Sequence, residues 1–412
     1  MGNNEVKKLT MEERLEAFKK KVGVNRVNRA VVEAGLPRGL YLSNHNASSD
    51  NIRRWALGVG ELNPRYIDSE YAKATKYGRL VAPPLFLQSV YFAGAAPETT
   101  EIDEYARPFH SGSEWEFYKP VLEGDEVDYN ALRLIDVKLV PSKFAGQMMV
   151  MTSASQYTNQ HGETVGLIKF FFHQSSSDEE VKKIGKYDKL VEPYKYTDEE
   201  LHNIQEEQSK EEMRGSLPRY WEDVKEGDSV GPLVVGPHTV MDSVGHFSAI
   251  WGGFPLGTCD RSYKAWAKKD GNGIAVYDAR INAYVNADLP HLDHDLARAV
   301  GAPGAYDNGG GRECIASILM TNWMGDAGFL WKYSIQFRRF NVYGDTTWYR
   351  GTVVRKYEDD GKYCVDIDHW GENQRGEKNT AGKATIILPS REHGEVKYPA
   401  PRTLDDIYPG KQ

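Results

Sequence analysis

Asn159-Gln160-His161-Gly162-Glu163 reads as a hairpin turn, and it returns as Asn373-Gln374-Arg375-Gly376-Glu377. The recurrence decides the fold, because two other markers keep their order around it. Phe117 with Gly124-Asp125 precedes the first copy, and Phe337 with Gly344-Asp345 precedes the second. Further upstream stand Asp68, Ala72 and Gly78 in one half, and Asp293, Ala297 and Gly301 in the other. Three markers in one order imply two copies of a single unit within the chain.

With 412 residues there is room for two full cores. A net charge of −8 argues against nucleic acid as a partner, since phosphate binding favours a basic surface. The stretch after Met1 lacks a signal-type apolar segment, and no apolar run is long enough for a membrane span, so the expected location is cytoplasmic with no membrane partner. Cys259, Cys314 and Cys364 lie far apart without a CxxC pair, as small buried hydrophobes in a reducing compartment do.

The pattern predicts a unit over 1–176, a charged connector over 177–216 and a second unit over 217–412. Helices are expected over Thr10–Val24, Ser48–Gly60 and Ser69–Thr75, with a buried helix opening at Ala82-Pro83-Pro84 and running through Phe92. Strands follow at Trp115–Tyr118, Val127–Leu134, Met148–Tyr157 and Val165–His173. In the connector, Thr197 to Glu200 forms a capping box for a polar helix ending near Gly215. The second unit repeats the plan: a strand at Val234–Val240, a helix at Asp242–Ile250, an apolar helix at Arg312–Trp323, and strands at Tyr333–Arg338, Trp348–Lys356, Tyr363–Trp370 and Ala384–Leu388. That order gives an α+β unit in which an antiparallel sheet wraps one central helix. Asp125 and Asp345 read as turn formers.

The densest polar cluster is Asn286-Ala287-Asp288-Leu289-Pro290-His291-Leu292-Asp293, continued by Ala297, Gly301, Pro303-Gly304-Ala305 and Gly309. It resembles the motif of MaoC-like (R)-specific enoyl-CoA hydratases, Gly-Asp-x-Asn-Pro-Ile-His-x-Asp-x-x-x-Ala followed by Gly-x-Pro-Gly and His-Gly. Gly60-Glu61-Leu62-Asn63-Pro64-Arg65-Tyr66-Ile67-Asp68 is similar to the worn copy in the first half of two-unit members. The resemblance implies a double hotdog that binds an acyl-CoA thioester and adds or removes water without metal or redox cofactor. It implies His291 as the histidine of a catalytic Asp–His pair, with the Gly309 N–H stabilising the thioester oxygen; either Asp288 takes the acid's role or the acid/base work rests mainly on His291. Asn286, Tyr306 and Asn308, with Asn63 and Tyr66 from the first copy, are the implied substrate contacts.

The sequence departs from the motif where the family has its catalytic Asp: that position holds Asn286. In the first copy Glu61 replaces Asp and Tyr66 replaces His, so that unit is expected to bind acyl chain rather than react. Trp251, Phe254, Trp266, Tyr306 and Trp323 suggest a roomy pocket and a bulky acyl group. Two alternatives stay open: a thioesterase on the same fold, and a non-catalytic acyl-CoA-binding subunit. A metal at His291 and His294 is set aside for want of an HExxH string or a nearby Cys. Two units in one chain present the paired interface that one-unit relatives form by dimerising, and a higher homo-oligomer stays open.

Overall fold

Asn159 and Asn373 close their turns alike. The Asn159 amide oxygen accepts the N–H groups of His161 (3.1 Å) and Glu163 (3.0 Å), and that of Asn373 accepts those of Arg375 (3.0 Å) and Glu377 (3.1 Å). The next residue reaches out of the turn, Gln160 to Asp125 (3.0 Å) and Gln374 to Asp345 (2.7 Å). Each aspartate also accepts a backbone N–H within its own turn, from Leu122 (2.8 Å) and from Val342 (3.2 Å). The repeat is one hydrogen-bonded device used twice, and it lashes two loops at the same end of each unit.

The computed structural model describes residues 10–26, 44–90, 108–142, 146–175, 193–250, 275–286 and 288–410. Its principal strands are β1 (Asn25–Arg26), β2 (Pro108–Phe117), β3 (Val127–Ser142), β4 (Gly146–Asn159), β5 (Thr164–Ser175) and β6 (Ser229–Val235). They continue as β7 (Ala275–Asp278), β8 (Ala283–Asn286), β9 (Phe329–Phe337), β10 (Thr347–Asp359), β11 (Lys362–Asn373) and β12 (Lys378–Ile387). Ten of them form one sheet in the order β1-β3-β4-β5-β2-β9-β12-β11-β10-β6. Read from its two ends, that order is the same topology twice, joined where β2 pairs antiparallel with β9. The fold is therefore a double hotdog.

Helices α1 (Met11–Lys19), α2 (Ser49–Val59), α3 (Pro64–Ile67), α4 (Ser69–Lys73) and α5 (Leu87–Val90) belong to the first half. The connector holds α6 (Asp198–Ser209), and the second half carries α7 (Val240–Ile250), α8 (His294–Ala299) and α9 (Gly309–Met324), with α10 (Leu404–Ile407) in the tail. The Asp-x-x-x-Ala marker is a helix start. Asp68 and Asp293 are N-caps that each accept two backbone N–H groups, while Ala72 and Ala297 are fully buried under them.

Helix α9 is buried on nearly every side, polar residues included. A polar group out of water must be paired, and most of these find a partner on another element. Glu313 accepts from Ser113 and Trp115 of β2, and from Gln88 of α5 (3.4 Å). Thr321 donates to Glu61 (2.6 Å), Asn322 to Glu211 of the connector (2.7 Å), and Cys314 to Gln88 (3.0 Å). The second unit's central helix is thereby stitched to the first unit and to the connector.

Several expectations shift. The strand foreseen over Val234–Val240 is Ser229–Val235 instead, and Val240 already opens α7. Pro237 has no N–H for the ladder, and Asp242 accepts both N–H and hydroxyl of Thr239 (2.6 Å each), which starts the helix early. The connector helix stops at Ser209 rather than near Gly215. The glycines before Arg312 are the first turn of α9, not a lead-in to it. The β7–β8 hairpin was not foreseen. The chain after β12 crosses back to the first unit, where Leu404 packs on Tyr118, Ala154 and Leu167. Residues Trp251, Phe254, Cys259 and Trp266 lie outside the described residues, as does the end of the first buried helix at Tyr91 and Phe92.

Two predictions follow from the seam and from α9. At the β2–β9 junction Gly112 has φ +144°, and a Cβ there would stand 2.1 Å from the Ile335 carbonyl oxygen. Gly112→Ala should lower the free energy of unfolding in urea by roughly 3 kcal/mol or more. Burial pushes the Glu313 carboxyl up from its ordinary 4.5 to about 7. A raised acid contributes stability that is complete below 4.5 and lost as pH climbs through 7. Glu313→Gln should therefore gain on wild type by on the order of 2 kcal/mol between mildly acidic and mildly alkaline buffer. Parallel urea curves at the two ends of that range would show it.

Candidate active site

The site is built where α9 begins. Asn308 is its N-cap, and the amide oxygen accepts the N–H groups of Gly310 (2.9 Å) and Gly311 (3.4 Å). The Gly309 N–H has no acceptor among the described residues. It is the free donor at the positive end of a 16-residue helix. Close approach is possible because residue 309 is glycine: a Cβ would stand 2.9 Å from the Phe337 ring and 3.1 Å from His110 Nδ1.

His291 is brought to this end by the 3-10 turn Leu289–His291, whose second residue is Pro290. Its Nδ1 lies 3.1 Å from the Tyr306 carbonyl oxygen. A carbonyl can only accept, so Nδ1 carries the hydrogen and Nε2 carries the lone pair. The ring meets Tyr306 edge-on, with centroids 4.4 Å apart, and the Tyr343 hydroxyl donates to the His291 carbonyl. Desolvation pushes the imidazole down to about 4, although the Tyr306 carbonyl and the Asp307 carboxylate oppose the shift. His291 is thus neutral at pH 7, the form a base needs.

The structure distributes the other expected residues unevenly. Asp288 touches His291 through the backbone, where its carbonyl accepts the His291 N–H (2.9 Å). Asn286 ends β8, and its amide oxygen accepts the Asp288 N–H (2.8 Å), so it shapes the turn. Tyr306 contributes its carbonyl and a ring packed on Phe340 with centroids 4.8 Å apart. His294 Nδ1 accepts the Ala305 N–H (3.2 Å) and steadies the same loop. Among the described residues no group of three or more His, Cys, Asp or Glu side chains gathers as metal ligands would.

Asn63 and Tyr66 lie elsewhere. Asn63 caps α3 and donates to Asp326 (3.0 Å), Arg65 donates to the Asp326 carbonyl (2.8 Å), and Tyr66 is fully buried under the Arg65 guanidinium. Burial pushes the neighbouring Glu61 carboxyl up to about 7. This cluster packs on the C-terminal end of α9, whereas His291 faces its beginning. At 1.5 Å per residue the two ends are about 20 Å apart. The first unit's own buried helix starts at Pro83-Pro84, which offer no N–H to a ligand.

Sequence reasoning missed Asp307, Arg312 and His246. Arg312 grips Asp307 with two donors, Nε at 2.8 Å and Nη2, and Asn341 adds a third (3.1 Å). The signal for that pair was present: an arginine in the first turn of a buried helix requires an acid. His246, on α7, lies against Gly311 of α9, and nothing in its local sequence points there. Asp307→Asn should leave Arg312 buried without a counter-charge. The variant should lose about 3 kcal/mol or more in thermal or urea unfolding.

Residues 44–167, the first unit, match the family model of a FAS1-like dehydratase domain region. A UPF0336 protein of Streptomyces coelicolor is 34% identical over 86 residues, covering 20% of this chain and 57% of that one. A probable enoyl-CoA hydratase alpha subunit of Thermomonospora curvata is 27% identical over 129 residues, covering 28% of this chain and 40% of its own. The chain thus spans about half the length of these curated relatives. In structure it is similar to a MaoC-like dehydratase with a TM-score of 0.58 at 17% identity, covering 84% of this chain and 95% of that one. A putative MaoC domain protein dehydratase from Chloroflexus aurantiacus gives 0.50 at 12% identity, covering 84% and 92%. These likenesses carry the fold across both units. The chain resembles the MaoC-like dehydratases in their two-unit, double hotdog form. No helix among the described residues is long and apolar enough to cross a membrane.

Proposed function

We propose that the protein is a hydro-lyase that hydrates an enoyl-CoA or dehydrates a 3-hydroxyacyl-CoA at the start of α9. The observation that carries this reading is a neutral imidazole, its Nδ1 hydrogen tied to the Tyr306 carbonyl, held beside a helix whose first N–H has no acceptor among the described residues. The two halves suit the two charges of the reaction. His291 takes a proton from water, and the Gly309 N–H meets the oxygen on which the thioester gathers negative charge. One such donor is typically worth about 3 kcal/mol of barrier. Asp288, three residues before His291 and joined to it through the backbone, is the partner we assign to it, since Asp293 on the other side is engaged in capping α8. Asn286, Tyr306 and Asn308 shape the wall around the acyl group. The dehydratase and hydratase names borne by its relatives support the reaction class.

Within this class we infer an acyl group that is bulky or ring-bearing, on the strength of the aromatic residues Tyr306, Phe340, Phe337 and Phe247 around His291 and Gly309. A panel of enoyl-CoA esters, read by loss of enoyl absorbance, should show bulky esters turning over faster than short linear ones. The reverse order would remove the inference about the acyl group. Release of free thiol to a thiol-reactive dye would instead mark a thioesterase, and tight binding without turnover a binding subunit.

His291→Ala should lower kcat/KM by about 100-fold or more. Since acid protonates the base, wild-type kcat/KM should stay level from mildly alkaline pH down past 6.5 and fall as pH approaches about 4. A bell centred near neutrality, or near-normal turnover by the alanine variant, would remove His291 from the reaction.

A further inference from the structure

We propose that His246 is a second water-holding residue of this site, accepting a hydrogen bond from the same water that His291 deprotonates. The inference rests on the hydro-lyase reading and adds to it a group from outside the motif. His246 lies on α7 and is only 3% exposed, yet its Nδ1 has no hydrogen-bond partner among the described residues. Its ring lies against the first turn of α9: a Cβ on Gly311 would stand 2.8 Å from Cγ and 3.1 Å from Nδ1. A buried imidazole nitrogen without a partner is costly, and folded chains reserve such atoms for water or ligand.

The surroundings say what kind of group it is. Facing the ring are the Asn308 side chain at the α9 cap, His291 on its turn, Asp307 before α9, and His238 before α7. Phe247 lies against both imidazoles, with centroids 6.0 Å from His246 and 6.1 Å from His291. The Asn308 side chain beside the ring raises its basicity, and Nδ1 is the ring nitrogen left without a partner. Desolvation outweighs that effect and holds His246 down at about 3, neutral in any ordinary buffer. It is an acceptor, not a cation.

Such an acceptor orients the water for the base, beside the Asp288 carboxylate already assigned to His291. The family's carboxylate position holds Asn286, whose oxygen is committed to the Asp288 N–H, and the Asp307 carboxylate is committed to Arg312 and Asn341. In hydration one water O–H donates to His246 Nδ1 and stays intact. The other O–H breaks, its proton passing to His291 Nε2 as the oxygen bonds the β-carbon. The π pair of the alkene moves toward the α-carbon and thioester oxygen, and His291 then returns the proton to the α-carbon. One water is added, and nothing is oxidised or reduced.

The test compares three full-length variants on whichever enoyl-CoA ester of the panel wild type turns over fastest. His246→Phe fills the space without an acceptor, His246→Asn restores a polar atom near Nδ1, and His246→Gln restores one near Nε2. We expect the phenylalanine variant to lose about 100-fold in kcat with KM changed less than about 3-fold. The asparagine variant should recover about ten-fold over the glutamine variant. If wild type turns over and His246→Phe matches it, or if asparagine and glutamine are equally impaired, the inference fails and the hydro-lyase reading stands. An inactive wild type on the whole ester panel overturns both. A readout independent of turnover uses nitrogen-labelled imidazole spectra. His246 Nδ1 should shift with (R)-3-hydroxybutanoyl-CoA, which places a hydroxyl at the water position, and not with butanoyl-CoA. Equal response to the two esters would also overturn the inference.

Discussion

One buried helix holds this molecule to its shape. Almost every side of α9 faces protein, and the polar residues it carries inward have no water to fall back on. Arg312, Glu313, Thr321 and Asn322 are each answered from a different element: the loop before the helix, strand β2 with helix α5, the first copy of the motif, and the connector. Removing any one partner would leave a polar group stranded in a dry interior, so the arrangement admits few alternatives. The same helix delivers its first N–H to the candidate site. Structural constraint and proposed chemistry share one element.

That sharing explains how differently the two copies of the motif are used. In the second unit the motif histidine reaches the start of α9, where a glycine turn leaves a donor open. In the first unit the motif lies against the far end of α9, with Glu61, Asn63 and Arg65 bonded to residues between Thr321 and Asp326. Prolines occupy the start of its own buried helix. One repeated pattern borders the candidate site in one place and forms a packing surface in the other. The family model matches the first unit, whereas the fuller motif string lies in the second.

The electrostatics of the site are set by dryness more than by charge pairs. His110, His246 and His291 surround the start of α9, and desolvation holds each well below the ordinary value for imidazole. Depressed histidines contribute stability that is present above about 6.5 and lost as acid carries pH toward 4. Neutral imidazoles beside an uncommitted N–H suit chemistry that moves one proton over a short path. They do not suit the capture of an anion by opposite charge.

Much of the fold was legible in the chain alone. The Asn-Gln-x-Gly-Glu strings, the Gly-Asp turns and the Asp-x-x-x-Ala steps are local hydrogen-bonded devices, whose residues must be what they are wherever the chain goes. They reveal a duplicated α+β unit and place His291 and Gly309 near a helix start. The β7–β8 hairpin was not legible, because its short strands carry little periodicity. Nor were the opposite fates of the two motif copies, the Asp307–Arg312 clamp, or the approach of His246 to Gly311 from α7. Local sequence determines which turns and caps form, since those bonds close within a few residues. Which polar side chain is left without a partner depends on every element packed around it, and only the tertiary structure decides that.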